Sequence, residues 1–284
     1  MNKALSPTEK LLGPPGLRLD WPSHLELPCE DGLPVENANE QEQNAVLTSS
    51  LRPLFDRRHP DGNYFIGQDV GLYYNATQPP LEGCLAPDWY YVPGVPARLG
   101  GEIRRSYVLW RELVSPFLLI EQVSGTGADE RDRTPNTGKM WLYEHVIQAS
   151  YYLIFDQWRE TLEGYALRRN RYARLRPNSR GHLEIAPLAI EAGLWAGRLA
   201  SQNGTWLRFF NANGKLLLTS EETAQQQRRL AQQQRKRAQL ERERADEEKR
   251  LAQLERERAE VATKEIERLR QQLRELGGNP DAPS

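Results

Sequence analysis

The chemistry of this chain starts at one carboxylate. Glu121 lies inside Phe117-Leu118-Leu119-Ile120-Glu121-Gln122-Val123-Ser124, an apolar run that reads as a fully buried strand closed by Gly125-Thr126-Gly127. A charge in such a strand must be paired, protonated or bound to metal, because an isolated one costs several kcal/mol. Upstream, Pro87-Asp88 opens the aromatic run Trp89-Tyr90-Tyr91-Val92; downstream stands Lys139. Two strand carboxylates side by side repel each other unless a cation lies between them. That pair suits Mg²⁺, which takes oxygen ligands and keeps places for water and phosphate oxygens. The metal would polarise a scissile phosphate and acidify a bound water, with Lys139 orienting or deprotonating the nucleophile. Glu36 is a candidate third metal ligand, and Gln122 is placed either to approach the site or to pair within the sheet. Each residue has a plainer alternative: strand entrance for Asp88, an arginine's ion-pair partner for Glu121, and a solvated side chain for Lys139 and Glu36.

A second feature is basic. Arg168, Arg169, Arg171 and Arg174 crowd a predicted hairpin with Tyr172 between them. They offer phosphate contacts whose affinity would fall with salt, or else a solvated arginine face. His24, His59, His145 and His182 have no metal-site spacing, and no P-loop, GxGxxG or Ser/His/Asp pattern occurs.

These residues need a frame. The chain has 284 residues and a formal net charge of -1, so no global field draws it to nucleic acid and any such contact must be local. A helix is predicted from about Glu40 to Phe55, capped by Asn37 or Asn39. Strands are predicted at Tyr64–Ile66, Val70–Tyr74, Trp89–Val92, Ser106–Trp110, Phe117–Val123 and Tyr151–Asp156. A polar loop, Gly125–Gly138, precedes a helix at Lys139–Ile147. Gly164–Leu167 and Tyr172–Leu175 form the basic hairpin, Leu183–Leu199 alternates loop and short helix, and Trp206–Phe210 with Lys215–Leu218 flank an Asn213-Gly214 turn. Strands and helices in this order give a mixed α/β or α+β domain. Cys29 and Cys84 have no CxxC spacing and read as reduced thiols of a cytoplasmic protein. No apolar run is long enough to span a membrane, and the N-terminus lacks an export signal's apolar stretch.

All seven Trp lie before Ser220, and from there to Glu275 no aromatic, Pro or Gly occurs. The octamer at Ala238–Ala245 repeats unchanged at Ala252–Ala259. Its period is two heptads. One heptad position runs Ala224, Ala231, Ala238, Ala245, Ala252, Ala259, Ile266, Leu273. Its companion is polar early and apolar only at Ala262, Leu269 and Leu276. The segment is a long helix, either an oligomeric coiled coil near its end or a single helix supported by Glu/Arg pairs. The expected division is a flexible arm at 1–24, a folded domain at 25–219, the charged helix at 220–277 and a disordered end at 278–284.

Pro87-Asp88, the Glu121 strand and a following lysine resemble the PD-(D/E)XK nuclease plan. The lysine departs from it, standing on the next helix and not two residues after Glu121. That displacement is similar to the Uma-two family of restriction endonucleases, as are Ser124, Asp132, Tyr143, the strand Tyr151–Asp156, the stretch Glu30–Glu36 and the turn Arg208–Gly214. The resemblance covers about Leu25–Glu222. It implies a restriction-endonuclease-like α+β core with a mixed central sheet, and Mg²⁺-dependent hydrolysis of DNA phosphodiester bonds at Asp88, Glu121 and Lys139. Two differences stand against activity: glutamates and glutamines in the first helix where the family carries histidine, and Gly-Thr-Gly after Ser124. The alternative is an inactive nuclease-fold protein that assembles, as a homodimer or higher oligomer, or docks another protein, through its C-terminal helix.

Overall fold

A computed structural model describes residues 18, 20–29, 38–199 and 202–276. The chain divides into two units, Met1–Ser220 and Glu221–Ser284.

The first unit is built on a six-stranded mixed sheet. In chain order its elements are α1 (Ala38–Arg58), β1 (Tyr64–Gln68), β2 (Leu72–Tyr73), β3 (Cys84–Leu85), β4 (Trp89–Pro93), β5 (Tyr107–Val108), α2 (Leu109–Glu112), β6 (Leu118–Gln122), α3 (Lys139–Leu142), β7 (Tyr151–Asp156), β8 (Thr161–Arg168), β9 (Arg171–Arg174), β10 (Leu183–Ile185), β11 (Ile190–Leu199) and β12 (Gln202–Asn211). The main sheet runs β1-β4-β6-β7-β8-β9, with β6 and β7 parallel and every other pair antiparallel. A parallel pair needs a crossover. The chain supplies one through the loop after Gln122 and through α3, which widens into a π turn at Tyr143–Ile147.

The central strands are covered on both faces, which is why they are nearly continuous apolar runs. On one face α1 lays down Leu47, Leu51 and Phe55, four residues apart and fully buried, against Trp89, Tyr91, Leu118 and Ile120. The sheet β10-β11-β12 packs on that same face through Leu183, Ile190, Leu207 and Phe209. On the other face Tyr90, Leu119, Tyr152 and Ile154 meet Met140, Tyr143 and Val146 of the α3 region, together with Leu72 and Tyr107 of the small sheet β3-β2-β5.

The segments at Tyr64 and Val70 are two strands that enter different sheets: β1 pairs with β4, while β2 joins β3 and β5. One expectation is corrected. Leu183–Leu199 is not loop and short helix, since β11 is a ten-residue strand. Only Ile190–Gly193 of it is buried, and glycines at 193 and 197 break its alternation, so the strand is defined by pairing with β12 from Ile190↔Asn211 to Leu199↔Gln202. β12 therefore has β11 along one edge. The expected turn at Asn213-Gly214 folds Lys215–Leu217 back on its end, with the bridge Phe210↔Leu216, the Asn211 N–H donating to the Lys215 carbonyl and the Leu217 N–H to the Phe209 carbonyl, both at 2.8 Å.

Ahead of α1, Arg18 donates its N–H to the Trp110 carbonyl at 3.2 Å and the Trp21 ring meets Trp110 edge-on at 5.4 Å. This part of the expected arm packs on the body. The described part of the second unit is built on one helix, α4, Ser220–Glu275, which begins at the last residue of the first unit and has no buried residue.

Candidate active site

Register alone brings Asp88 beside Glu121. Trp89 pairs with Ile120, which sets the preceding Asp88 across from Glu121 on the face shared with Tyr90 and Leu119. Asp88 is 8% exposed and Glu121 1%. Asp88 Oδ2 accepts the Gln122 N–H, so it binds the strand end directly.

The α3 region grips Glu121. Lys139 and Tyr143 are four residues apart on one helical face. Lys139 donates from Nζ to Glu121 Oε2 at 3.1 Å, and the Tyr143 hydroxyl donates to Oε1. Each carboxylate oxygen has two lone pairs, so one acceptor site per oxygen remains. Burial pushes the Glu121 carboxyl above its ordinary value, and Lys139 and Tyr143 only partly offset this. Burial works to neutralise Lys139, but the negative charge of Glu121 and Asp88 holds its ammonium above the usual lysine range. Burial and the Glu121 charge likewise push the Tyr143 hydroxyl far up. Near neutrality Lys139 is a fixed cation and Tyr143 a fixed donor.

Two further acids complete the cluster. Glu40 on α1, Asp69 after β1 and Asp88 each direct a carboxylate oxygen so that all three lie within 4.8 Å of one another. Asp69 takes a left-handed backbone, φ 51°, a conformation aspartate tolerates better than most residues. Partial burial, Glu40 and Glu121 push its carboxyl up to about 6. Asp88 is raised well above the carboxylate range by burial first, then by Glu121 and Glu40. Converging carboxylates that raise one another's pKa form a place for a cation. Gln122 ties the α1 end to this point, its amide donating to Asn44 Oδ1 at 3.0 Å and to the Glu40 carbonyl at 3.5 Å.

Asp88, Glu121 and Lys139 are thus brought together, and Glu36 lies outside the described residues. Glu40, Asp69 and Tyr143 enter the site from positions where sequence gave weak signals: a helix start, a Gly-Gln-Asp turn and a helical tyrosine. Asp132 is a turn residue, accepting the N–H and hydroxyl of Thr134 at 2.8 and 2.6 Å. The Ser124 N–H faces Glu130 Oε1 at 3.4 Å. The basic hairpin is divided by its strands. Arg168 pairs with Arg171 on the face of Ala166 and the α1 core, Arg169 takes a left-handed turn, and Arg174 pairs with Tyr165 on the face of Glu121.

An acidic cluster backed by a lysine, at the strand ends of a mixed α/β sheet, is compatible with the restriction-endonuclease-like class. The chain belongs to the Uma2 family, described as "Putative restriction endonuclease", whose family model matches residues 30–203. Membership suggests a nuclease acting on DNA with a divalent metal. No curated protein matches the chain. Among the described residues, no helix is long and apolar enough to cross a membrane.

Proposed function

We propose that this protein is a Mg²⁺-dependent endonuclease of the PD-(D/E)XK kind that hydrolyses DNA phosphodiester bonds in the cytoplasm. The observation that carries the reading is the convergence of Glu40, Asp69 and Asp88 within 4.8 Å beside a Glu121 held by Lys139. An all-carboxylate donor set fits a hard divalent cation, and mutual repulsion of the acids supplies the reason to bind one. Asp88 and Glu121 are the proposed ligands, with Glu40 and Asp69 beside them; Glu36 is a candidate from sequence alone. A divalent cation there would polarise the scissile phosphate and acidify a bound water.

The remaining work falls to the chain. Lys139, kept charged by Glu121 and Asp88, acts as a donor to the attacking water or to a phosphate oxygen, so its role is orientation and charge, not proton removal. Tyr143 fixes the Glu121 rotamer by occupying Oε1. In the reaction the water oxygen gives up a proton to solvent and bonds to phosphorus, one P–O bond to the sugar breaks, and the leaving oxygen takes up a proton from solvent, so protons balance overall. The test is plasmid DNA with Mg²⁺, full-length protein beside Asp88→Ala: nicking by the first alone supports the reading, and equal cleavage by both rejects it.

A second reading rests on α4. Its apolar residues Ile266, Leu269 and Leu273 are exposed by 54, 53 and 47%, and Leu276, just past its end, by 87%. That stripe matches the late heptad seam, and we propose that it pairs copies of the chain, as a homodimer or higher oligomer, in a coiled coil. It supports an assembly role with or without turnover, and two-strand cleavage would itself use two sites. Light scattering on the full chain and on a chain ending at Ser220 tests it; equal monomer masses would remove the role.

A further inference from the structure

The row of the sheet that carries Asp88 and Glu121 continues across two more strands. Glu121 stands opposite Ile154 on β7, and Ile154 opposite Glu163 on β8. Glu163 is therefore two strand spacings from Glu121 on the same face, roughly 9–10 Å. Two cations pair with it and a third pairs with Glu144. Arg131 donates from Nε to Glu163 Oε1 at 2.8 Å and from NH1 to the Gly127 carbonyl at 2.6 Å. Arg174 NH2 lies 3.5 Å from Glu163 Oε2, to which the Tyr165 hydroxyl also donates at 2.8 Å. Arg133 pairs with Glu144 at 3.0 Å, and Glu144 is itself fixed by the Tyr172 N–H at 2.6 Å. Tyr165 stands opposite Arg174 and its ring lies 6.2 Å from that of Tyr172, whose N–H holds the Glu144 that pairs with Arg133, so the two guanidinium groups flank one pair of rings.

The carboxylates and the arginines differ in exposure. Side chains of Glu144 and Glu163 are 2 and 17% exposed, whereas Arg133 and Arg174 are 47 and 68% exposed. Sunken acids that hold protruding guanidinium groups orient them without covering them. A guanidinium has five N–H donors, and the pairs described occupy only some of those on Arg133 and Arg174. Planar donors beside a cut site suit phosphate oxygens. One DNA strand presents a phosphate about every 3.4 Å of axis, so the offset from Glu121 corresponds to about three nucleotides.

Resting on the nuclease reading, we propose that Arg131, Arg133 and Arg174 form a phosphate subsite that holds the DNA backbone beside the cut, with Glu163 and Glu144 as positioning residues. Arg168 and Arg171, on the opposite face of the hairpin, stand outside it.

The experiment uses the full chain and a short fluorescent DNA duplex. Anisotropy across a salt series in EDTA gives the salt dependence of binding, and initial rates in Mg²⁺ give KM and kcat. Arg133→Ala with Arg174→Ala should lower the slope of log affinity against log salt by about 2, the value for two lost phosphate contacts. It should raise KM while leaving kcat within about threefold, and the two Arg→Lys changes should restore the slope but not the full KM. Glu163→Gln should raise KM less. Arg57→Ala, an exposed arginine on α1, should change neither quantity. If the double variant fails to fold, Arg174→Ala alone should lower the slope by about 1. An unchanged slope in a wild type that cleaves, or a loss produced by Arg168→Ala and Arg171→Ala instead, overturns this subsite and leaves the nuclease reading standing. A wild type that neither binds nor cleaves overturns both.

Discussion

The strand ends around Glu121 and the helix α4 are both rich in charge, yet they use it in opposite ways. In α4 no residue is buried, and Glu and Arg neighbours meet water at every turn. A carboxylate there is stable anywhere, so its exact place matters little and an octamer can repeat without loss. At the strand ends Glu121 is 1% and Asp88 8% exposed, and each position is fixed by register or by a donor. Burial turns the same side-chain chemistry from a solubilising surface into a source of repulsion that a cation or a lysine must answer. Abundance of charge therefore says little about where chemistry lies, and its placement says much.

Matched substitutions probe that contrast most directly. Glu121→Gln should lower the cleavage rate by about 10³-fold or more, the scale of losing a principal electrostatic group from an active site. Glu255→Gln on α4 should leave cleavage unchanged and stability within about 0.5 kcal/mol. A tail substitution that matched the strand substitution would break the contrast. Plasmid nicking rates and urea melts of both variants measure it.

Next in size is the lysine. Lys139→Ala should slow cleavage by about 10²-fold and, in metal-free buffer, destabilise the fold by about 3 kcal/mol, because Glu121 is left buried without its cation. The exposed ion pair Arg268–Glu265 on α4, at 3.9 Å, should contribute at most about 0.5 kcal/mol when Arg268 is changed to Ala. Chemical denaturation of the two variants side by side decides this.

The smallest effect is one of pH. Asp69, Asp88 and Glu121 have raised carboxyl values in the folded chain. The folded form therefore holds these protons more tightly than the unfolded form. Their contribution is full below the unfolded carboxyl range and is lost as pH rises through the folded values, at about 6 for Asp69. In EDTA the melting temperature should fall as pH is raised from 5 towards 7. After discounting for the exposure of Asp69, Asp69→Asn should recover about 2–4 °C of that fall. A melting temperature that rises over this range would contradict the arrangement of the acids.

The legible parts of the sequence were those whose signals are local. Glu121 announced itself by being charged among Leu119, Ile120 and Val123, and Pro87-Asp88 and Lys139 followed in order. The α1 stripe, the β7 run and the α4 repeat were equally plain. Illegible parts depend on distant pairing. Glu40 looks like a helix-start acid until the α1 end meets Gln122, 82 residues on. Asp69 looks like a turn residue until its neighbour proves to be Asp88. β11 is a strand because β12 lies beside it, and its own glycines conceal the pattern.

One contact fixes how small a working version of this protein can be. Gln43 grips β12 with both ends of its amide, donating to the Leu207 carbonyl at 2.9 Å and accepting the Leu207 N–H at 3.0 Å. It sits one turn of α1 beyond Glu40, so the footing of that acid is a strand from the far end of the domain. The family match stops at residue 203, near the start of β12. A minimal catalytic fragment trimmed to the matched region would keep Glu40 and discard what holds it in place.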